Sequence, residues 1–257
     1  MNKFQNFGIV HQTHSSRYIA MVSDTKYLPR AKALIKSIQS NSPDVNICIA
    51  MINPSKEEVD DISSRGVKPF AVFKDLDSTP RGKIYKGKAE NNDSPRQFSD
   101  LMSFCANYKI QFIDELLNCE EHNIKKLIMM DADSIVRKSL DKLFDSLEDC
   151  DIILRQRPGY AKHGRLMAGV MCVNNTSASK DFFAKASAKA HEIGMTKWWT
   201  DQKSLHKASS KCTGLRLHNL PSSYIDWEFR DKSHIWVGKG ARKDNSRRYI
   251  GEENKYL

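Results

Sequence analysis

The feature that most constrains this chain is a regular alternation of short, continuously apolar runs with stretches whose apolar residues recur every three or four positions. A short apolar run reads as a strand buried on both faces, and a three-to-four spacing reads as a helix with one buried stripe. Strands of that kind need helices over both faces of their sheet, so the rhythm selects an α/β fold with a doubly wound, mostly parallel sheet flanked by helices. Residues 17–23 give the first strand, and 27–39 a helix with Leu28, Ala31, Leu34, Ile35 and Ile38 on one stripe. Residues 45–52, 54–64 and 67–73 repeat strand, helix and strand. Residues 75–94 break the rhythm with Lys, Arg, Gly and Pro and little apolar content, as expected of an exposed excursion, and long loops in compact domains are often functional.

The rhythm then resumes. Residues 98–117 read as a long helix with Phe98, Leu101, Met102, Cys105, Tyr108, Phe112 and Leu116 at helical spacing. Further strands are expected at 126–130, 151–154, 169–173 and 215–217, and helices at 139–147, 177–191 and 200–207. Residues 1–16 form an N-terminal extension, and the basic, aromatic stretch 220–257 is expected to wrap over the rest. With no repeat and no linker, the 257 residues are expected to form one domain.

A chain of this length can build a core without staples, and the six cysteines show neither zinc nor disulfide spacing. No window reaches the roughly 18 uncharged apolar residues of a membrane span, and residues 1–17 lack an apolar signal core, so a cytoplasmic protein is expected. The net charge of +10 is unevenly placed: residues 1–150 carry 21 basic and 21 acidic side chains, residues 151–257 carry 20 and 10. Something anionic is expected to meet the C-terminal part: a diphosphate, a nucleic acid, an anionic glycan or a membrane surface.

The sharpest local signal is Leu127-Ile-Met-Met-Asp131-Ala132-Asp133. In extended backbone residues two apart share a side, so both carboxylates would face one way at the mouth of a buried strand, where ligands bind in open α/β sheets. Two carboxylates so close repel, and a divalent cation relieves the repulsion while keeping positions for phosphate oxygens. The bland alternative is two aspartates that cap the following turn.

Strand, Asp-x-Asp, a hydrophobic residue and a helix ending Leu-Asp-Lys-Leu-Phe144 resemble the metal centre of nucleotide-diphospho-sugar transferases of the GT-A fold, in the glycogenin-like and galactosyltransferase-like branch. The likeness runs from Arg17 to about Lys243. It implies a metal-dependent glycosyltransferase that takes a nucleotide-diphosphate sugar as donor, uses Mn²⁺ or Mg²⁺, retains anomeric configuration and serves a glycan, lipid or protein acceptor. Val22-Ser-Asp-Thr-Lys-Tyr-Leu28 resembles the branch's nucleoside turn, which makes Ser23, Asp24 and Tyr27 nucleoside contacts. Lys109 resembles the basic residue offered to the diphosphate or to the motif aspartates, and Ala132 lies between the two carboxylates. Leu166-Met-Ala-Gly-Val-Met171 matches the second half of a family strand but carries Met167 in place of its Asn. Thr200-Asp-Gln-Lys-Ser-Leu205 resembles the donor-sugar motif, assigning Asp201 and Gln202 to the catalytic end, with Trp198 and Trp199 able to stack on a sugar.

Ser233-His-Ile-Trp-Val-Gly-Lys-Gly-Ala-Arg-Lys243 is similar to the terminal His-x-x-Gly-x-x-Lys segment that supplies a third metal ligand and phosphate contacts. His234 is the expected third ligand beside Asp131 and Asp133, although the step from His234 to Gly238 is one residue longer than the family's; the alternatives are His218 or water. Lys239, Arg242 and Lys243 are the expected diphosphate clamps. Two rival readings stand beside this one. A haloacid-dehalogenase-like phosphatase would use Asp131 as nucleophile and Asp133 as acid/base, but needs that motif on its first strand. A basic nucleic-acid-binding protein would explain the charge, but no recognised nucleic-acid motif is present, so nucleic acid is not the expected partner.

Overall fold

The computed structural model describes residues 5–6, 15–85, 96–157 and 164–257. Most of the N-terminal extension, the excursion beyond residue 85 up to 94, and residues 158–163 lie outside the described residues. Twelve strands are present among them: β1 (Gln5–Asn6), β2 (Arg17–Asp24), β3 (Asn46–Ile52), β4 (Lys68–Val72), β5 (Arg81–Tyr85), β6 (Arg96–Phe98), β7 (Lys126–Asp131), β8 (Ser134–Val136), β9 (Ile152–Gln156), β10 (Leu166–Asn174), β11 (Leu217–Asn219) and β12 (Ile235–Val237). They alternate with α1 (Leu28–Asn41), α2 (Lys56–Ser64), α3 (Asp100–Leu117), α4 (Asp141–Asp145), α5 (Ser177–Ile193), α6 (Thr200–Ser209), α7 (Arg242–Asn245) and α8 (Arg247–Glu253).

Eight strands make the main sheet in the order β1-β4-β3-β2-β7-β10-β9-β11. The run β4-β3-β2-β7 is parallel, as is β9 with β11, which is the mostly parallel sheet that the apolar runs require. β10 runs antiparallel to both β7 and β9. The reason is connection length: β9 and β10 are joined by residues 157–165, where Arg157 N–H bonds the Arg165 carbonyl at 2.8 Å, and so few residues cannot carry a crossover helix.

Both faces of the sheet are covered. In β2, Ile19 and Met21 face a core shared with α1, α2 and α4, while Tyr18, Ala20 and Val22 face one shared with α3, α5 and α6. The chain steps outward from β2 to β4 and returns to the other flank of β2 as β7, so the order reverses between β2 and β7. Such a reversal opens a crevice at the carboxyl ends of the strands, and here those ends are Asp24 and Asp131.

After β7 the chain turns at Ala132 and Asp133 into β8, which pairs with β12 in a separate two-stranded sheet. The end of α1 holds this region: Ser37 Oγ accepts Val136 N–H at 3.0 Å, and Ser42 Oγ accepts Leu140 N–H at 3.1 Å. The expected C-terminal wrap contains β12, α7 and α8, anchored by a third apolar cluster of Ile135, Phe229, Trp236 and Tyr249.

Three expectations shift. The excursion contains β5, which pairs antiparallel with β6. The helix expected at 139–147 is only Asp141–Asp145, and the strand expected at 215–217 is Leu217–Asn219. The stripe on α3 also splits: Tyr108, Phe112 and Leu116 are core, whereas Met102 and Cys105 are half-buried and face a cavity. Periodicity identifies an apolar face but not whether protein or ligand covers it. No helix among the described residues is long and apolar enough to cross a membrane.

Phe112 is fully buried, edge-on to Phe70 at 5.4 Å and beside Tyr108 at 6.2 Å. Phe112→Ala is expected to lower stability by about 3–5 kcal/mol, read in urea as a lower midpoint at unchanged slope.

Candidate active site

The crevice between the ends of β2 and β7 deepens into a cavity of about 520 Å³. The Asp131-Ala132-Asp133 segment forms its floor. Both carboxylates reach the cavity, but not through extended backbone: Asp131 is the last residue of β7, and Ala132 and Asp133 form a turn. Each accepts a lysine. Lys109 Nζ, from the buried face of α3, donates to Asp131 Oδ1 and to the Ala168 carbonyl at 3.0 Å. Lys243 Nζ, from α7, donates to Asp133 Oδ2 and to Tyr27 Oη at 3.0 Å.

The turn is fixed by its backbone as well. The Asp133 carbonyl accepts Gly238 N–H at 2.8 Å and Tyr249 Oη–H at 2.7 Å. A Cβ on Gly238 would lie 2.8 Å from Lys243 Cδ and 2.9 Å from both Asp133 Cγ and the Asp133 carbonyl, so the close approach requires glycine.

Burial raises the Asp131 carboxyl; Lys109 opposes this and Asp133 adds to it, for a net rise to about 6. Burial pulls Lys109 down, but Asp131, Asp201 and Asp133 together outweigh it and hold the ammonium protonated. Lys243 behaves alike, lowered by burial and raised further by Asp133 and Tyr27. Lys239 has no such partner among the described residues: burial, then Arg157 and Arg242, bring it down to about 8. Its ammonium lies 4.5 Å from the centre of the Trp227 ring.

Ser23, Asp24 and Tyr27 line the cavity at the end of β2. Asp24 also closes the turn that leads into α1, since its Oδ1 accepts Tyr27 N–H at 2.8 Å. At the opposite wall Asp201 and Gln202 open α6; Asp201 Oδ1 accepts Gln202 N–H at 2.7 Å, and burial raises its carboxyl against the pull of Lys109. Trp198 lies flat on Phe98, ring centres 3.6 Å apart, and Trp199 holds a left-handed backbone, φ 71°, at the start of α6.

Two expected residues are not brought to this cavity. His234 is stacked under Tyr224 at 4.4 Å, with its backbone N–H on the Ser223 carbonyl at 2.7 Å; it is not among the lining residues. It starts the turn into β12, and the residue delivered to the wall is Val237. In His-x-x-Gly-x-x-Lys spacing counted back from Lys243, Gly240 and Val237 are the matching positions, so the extra residue noted at Gly238 is an offset of three. His218 is exposed on β11, paired beside Ile153, and is not a lining residue either. Arg242 flanks Lys239 at the start of α7 without lining the cavity.

Three contributors carry no motif. Asn107 of α3 accepts Asp201 N–H at 2.9 Å and donates to the carbonyls of Met195 and Lys197 at 2.7 and 2.9 Å, which fixes the sugar-end loop. Arg157 and Trp227 close the outer wall. A buried Asn on an otherwise apolar helix was a readable signal for the first; nothing in the sequence marks the other two.

The fold places the chain in the GT-A class of glycosyltransferases. Galactosyltransferase LgtC, solved with donor and acceptor sugar analogs, superposes with a TM-score of 0.60 at 14% identity, covering 93% of this chain and 93% of that one. Glycosyltransferase GlyE of Streptococcus pneumoniae TIGR4 gives 0.59 at 15% identity over 96% of this chain and 61% of its own. The bifunctional glycosyltransferase WbbM gives 0.51 at 15% identity, over 94% of this chain and 52% of its own. The profile of glycosyl transferase family 8 matches residues 18–185, and the chain belongs to that family. It is a nucleotide-sugar glycosyltransferase. No curated protein matches its sequence. Membership sets aside the phosphatase and nucleic-acid readings, and β7 lies mid-sheet after three strand-helix units, where the phosphatase motif does not belong.

The divalent ion of the GT-A class fits these residues poorly. Both carboxylates are engaged by buried ammonium groups, and the third position holds a valine. Among the described residues, the one group of three potential ligands within reach of each other is Cys119, Glu121 and His122, which precede β7 at the end away from Asp131.

Gly238→Ala is expected to push the Asp133 turn and Lys243 apart. Stability should fall by about 1–3 kcal/mol in thermal or urea unfolding.

Proposed function

We propose that this chain transfers a sugar from a nucleotide-diphosphate sugar to an acceptor hydroxyl on a glycan, lipid or protein. The observation that carries the reading is the convergence of three sets of side chains on one cavity in a family 8 chain: Ser23, Asp24 and Tyr27; Asp131, Asp133, Lys109, Lys239 and Lys243; and Asp201 and Gln202.

In this reading the nucleoside lies at the end of β2, the diphosphate over the Asp131–Asp133 turn, and the sugar towards α6. As the bond to the anomeric carbon lengthens, negative charge gathers on the diphosphate and positive charge on the sugar. Lys109, Lys239 and Lys243 meet the first, already oriented in a site shielded from water, where such contacts are worth most. The Asp201 carboxylate faces the second; Gln202 N–H donates to it, and Asn107 Oδ1 holds the residue by accepting the Asp201 backbone N–H. Asp201→Asn keeps the shape and removes the charge; it is expected to lower kcat by about two orders of magnitude while donor affinity stays within about threefold.

The reading is tested by melting temperature against a panel of nucleoside diphosphates and nucleotide sugars. A ligand at about a hundred times its Kd adds roughly 2.7 kcal/mol, a clear upward shift. One base should stabilise the wild type, and Tyr27→Ala should lose most of that gain. A protein that no nucleotide stabilises would sink the donor-site reading.

Donor affinity should also depend on pH through Lys239. Its ammonium is present below about 8 and lost above it, so affinity is expected to be level below that pH and to weaken above it, by at most about tenfold per unit. Lys239→Arg, which stays charged, should remove the alkaline loss.

A further inference from the structure

We propose that Lys109 and Lys243 take the place of the divalent cation, so that donor binding and transfer proceed without metal. This rests on the donor-site reading above and deepens it. The hydrogen bonds of the two ammonium groups support it first. An ammonium has three N–H donors. Lys109 gives one to Asp131 and one to the Ala168 carbonyl; Lys243 gives one to Asp133 and one to Tyr27 Oη. One donor on each remains for a diphosphate oxygen, while each aspartate holds its lysine in place.

The third-ligand position supports it independently. Asp131 Oδ2, Ile225 Cδ1 and Val237 Cγ1 lie 3.1, 3.5 and 3.7 Å from the point where a Cβ on Gly169 would sit, so the wall around Asp131 there is formed by apolar side chains. The imidazole of His234 is stacked beneath Tyr224, and His234 is not among the residues lining the cavity. Among the described residues no third His, Cys, Asp or Glu joins the pair within ligand reach.

Charge decides the rest. Asp131 and Asp133 are each paired with a buried lysine, Asp201 adds a third carboxylate near Lys109, and Lys239 lines the same cavity with Arg157 and Arg242 near it. A divalent cation bound by Asp131 and Asp133 would meet the two ammonium groups already held on those carboxylates, like charges at contact distance, where repulsion inside a protein is strong. A diphosphate anion meets the opposite. In the transfer step the bond between the anomeric carbon and the diphosphate oxygen breaks with its electron pair going to that oxygen. The acceptor hydroxyl oxygen bonds to the carbon, and its proton passes to the departing diphosphate. The charge that appears is met by the remaining N–H of Lys109 and of Lys243.

The test uses the full chain, stripped with EDTA. Binding of ADP, GDP, UDP, CDP and TDP is measured by calorimetry in EDTA and again with Mn²⁺, with free Mn²⁺ followed by electron paramagnetic resonance. The expected result is one nucleoside diphosphate that binds in EDTA with a Kd within about threefold of its Mn²⁺ value, and no protein-dependent loss of the Mn²⁺ signal. Lys243→Gln should weaken the EDTA binding by about tenfold or more. Binding that vanishes in EDTA and returns with Mn²⁺, with the Mn²⁺ signal falling in proportion to protein, overturns this proposal and leaves the donor site standing. If none of the five binds in either condition, the donor-site reading fails and this proposal with it.

Discussion

The carbonyl oxygen of Asp133 ties the turn after β7 to the C-terminal segment. It accepts Gly238 N–H and Tyr249 Oη–H, while the carboxylate of the same residue accepts Lys243. β7 alone would deliver two carboxylates to a turn exposed to solvent. The C-terminal segment packs over that turn, with Tyr249 buried against Ile135, Phe229 and Trp236, and so brings the basic half of the chain onto the acidic motif. Arg30 extends the same tie to α1, contacting Asp244 at 2.7 Å and Glu253 at 3.8 Å.

Much of the architecture was legible because buried parallel strands leave a strong trace. Residues 17–23, 45–52 and 126–130 hold almost nothing but apolar side chains, since the sheet is covered on both faces. Strand direction left no trace: β10 reads like its neighbours and runs the other way, decided by the length of a loop. The Asp-x-Asp pair stood out from its residues alone, whereas Lys109, Lys243 and the Asp201-Gln202 step were singled out only by the resemblance; all of them line the cavity. His234 misled because an imidazole in the right stretch is easily taken for a ligand, whereas register along β12 decides which side chain meets the turn. One strand residue more or fewer exchanges faces, and Val237, three positions on, is the one that points in.

Buried acid-ammonium pairs are a weak source of stability, because desolvation consumes most of what their attraction returns. Two such pairs side by side therefore make little sense as structural devices alone. They make sense as a site kept charged and oriented before the ligand arrives, and the directions of titration agree: Lys109 and Lys243 are held protonated, and Asp131 is pushed up by burial with its lysine pulling against that rise. Lys239 differs in kind. With Trp227 under its ammonium and no carboxylate partner among the described residues, it stands ready for an anion.

The cavity is divided between chemistries along its length. At the Asp131–Asp133 turn nearly every polar group is charged, while the outer wall is Phe98, Met102, Trp198, Trp199 and Trp227. Trp198 is stacked on Phe98 and cannot offer that face to a sugar, so the aromatic surface presented to the cavity there is the opposite face of the ring or that of Trp199. Trp199 is held in a left-handed backbone that costs a residue with a Cβ about 1 kcal/mol or more, at the position that aims the first turn of α6 into the cavity. Strain maintained there is offset by the Asn107 bridge to Met195, Lys197 and Asp201, which fixes the loop on both sides of the tryptophan pair. The charged floor has the chemistry to hold a diphosphate, and the aromatic wall has the apolar area to meet the C–H faces of sugars. The division between them falls at Asp201, where the bond to be broken would lie.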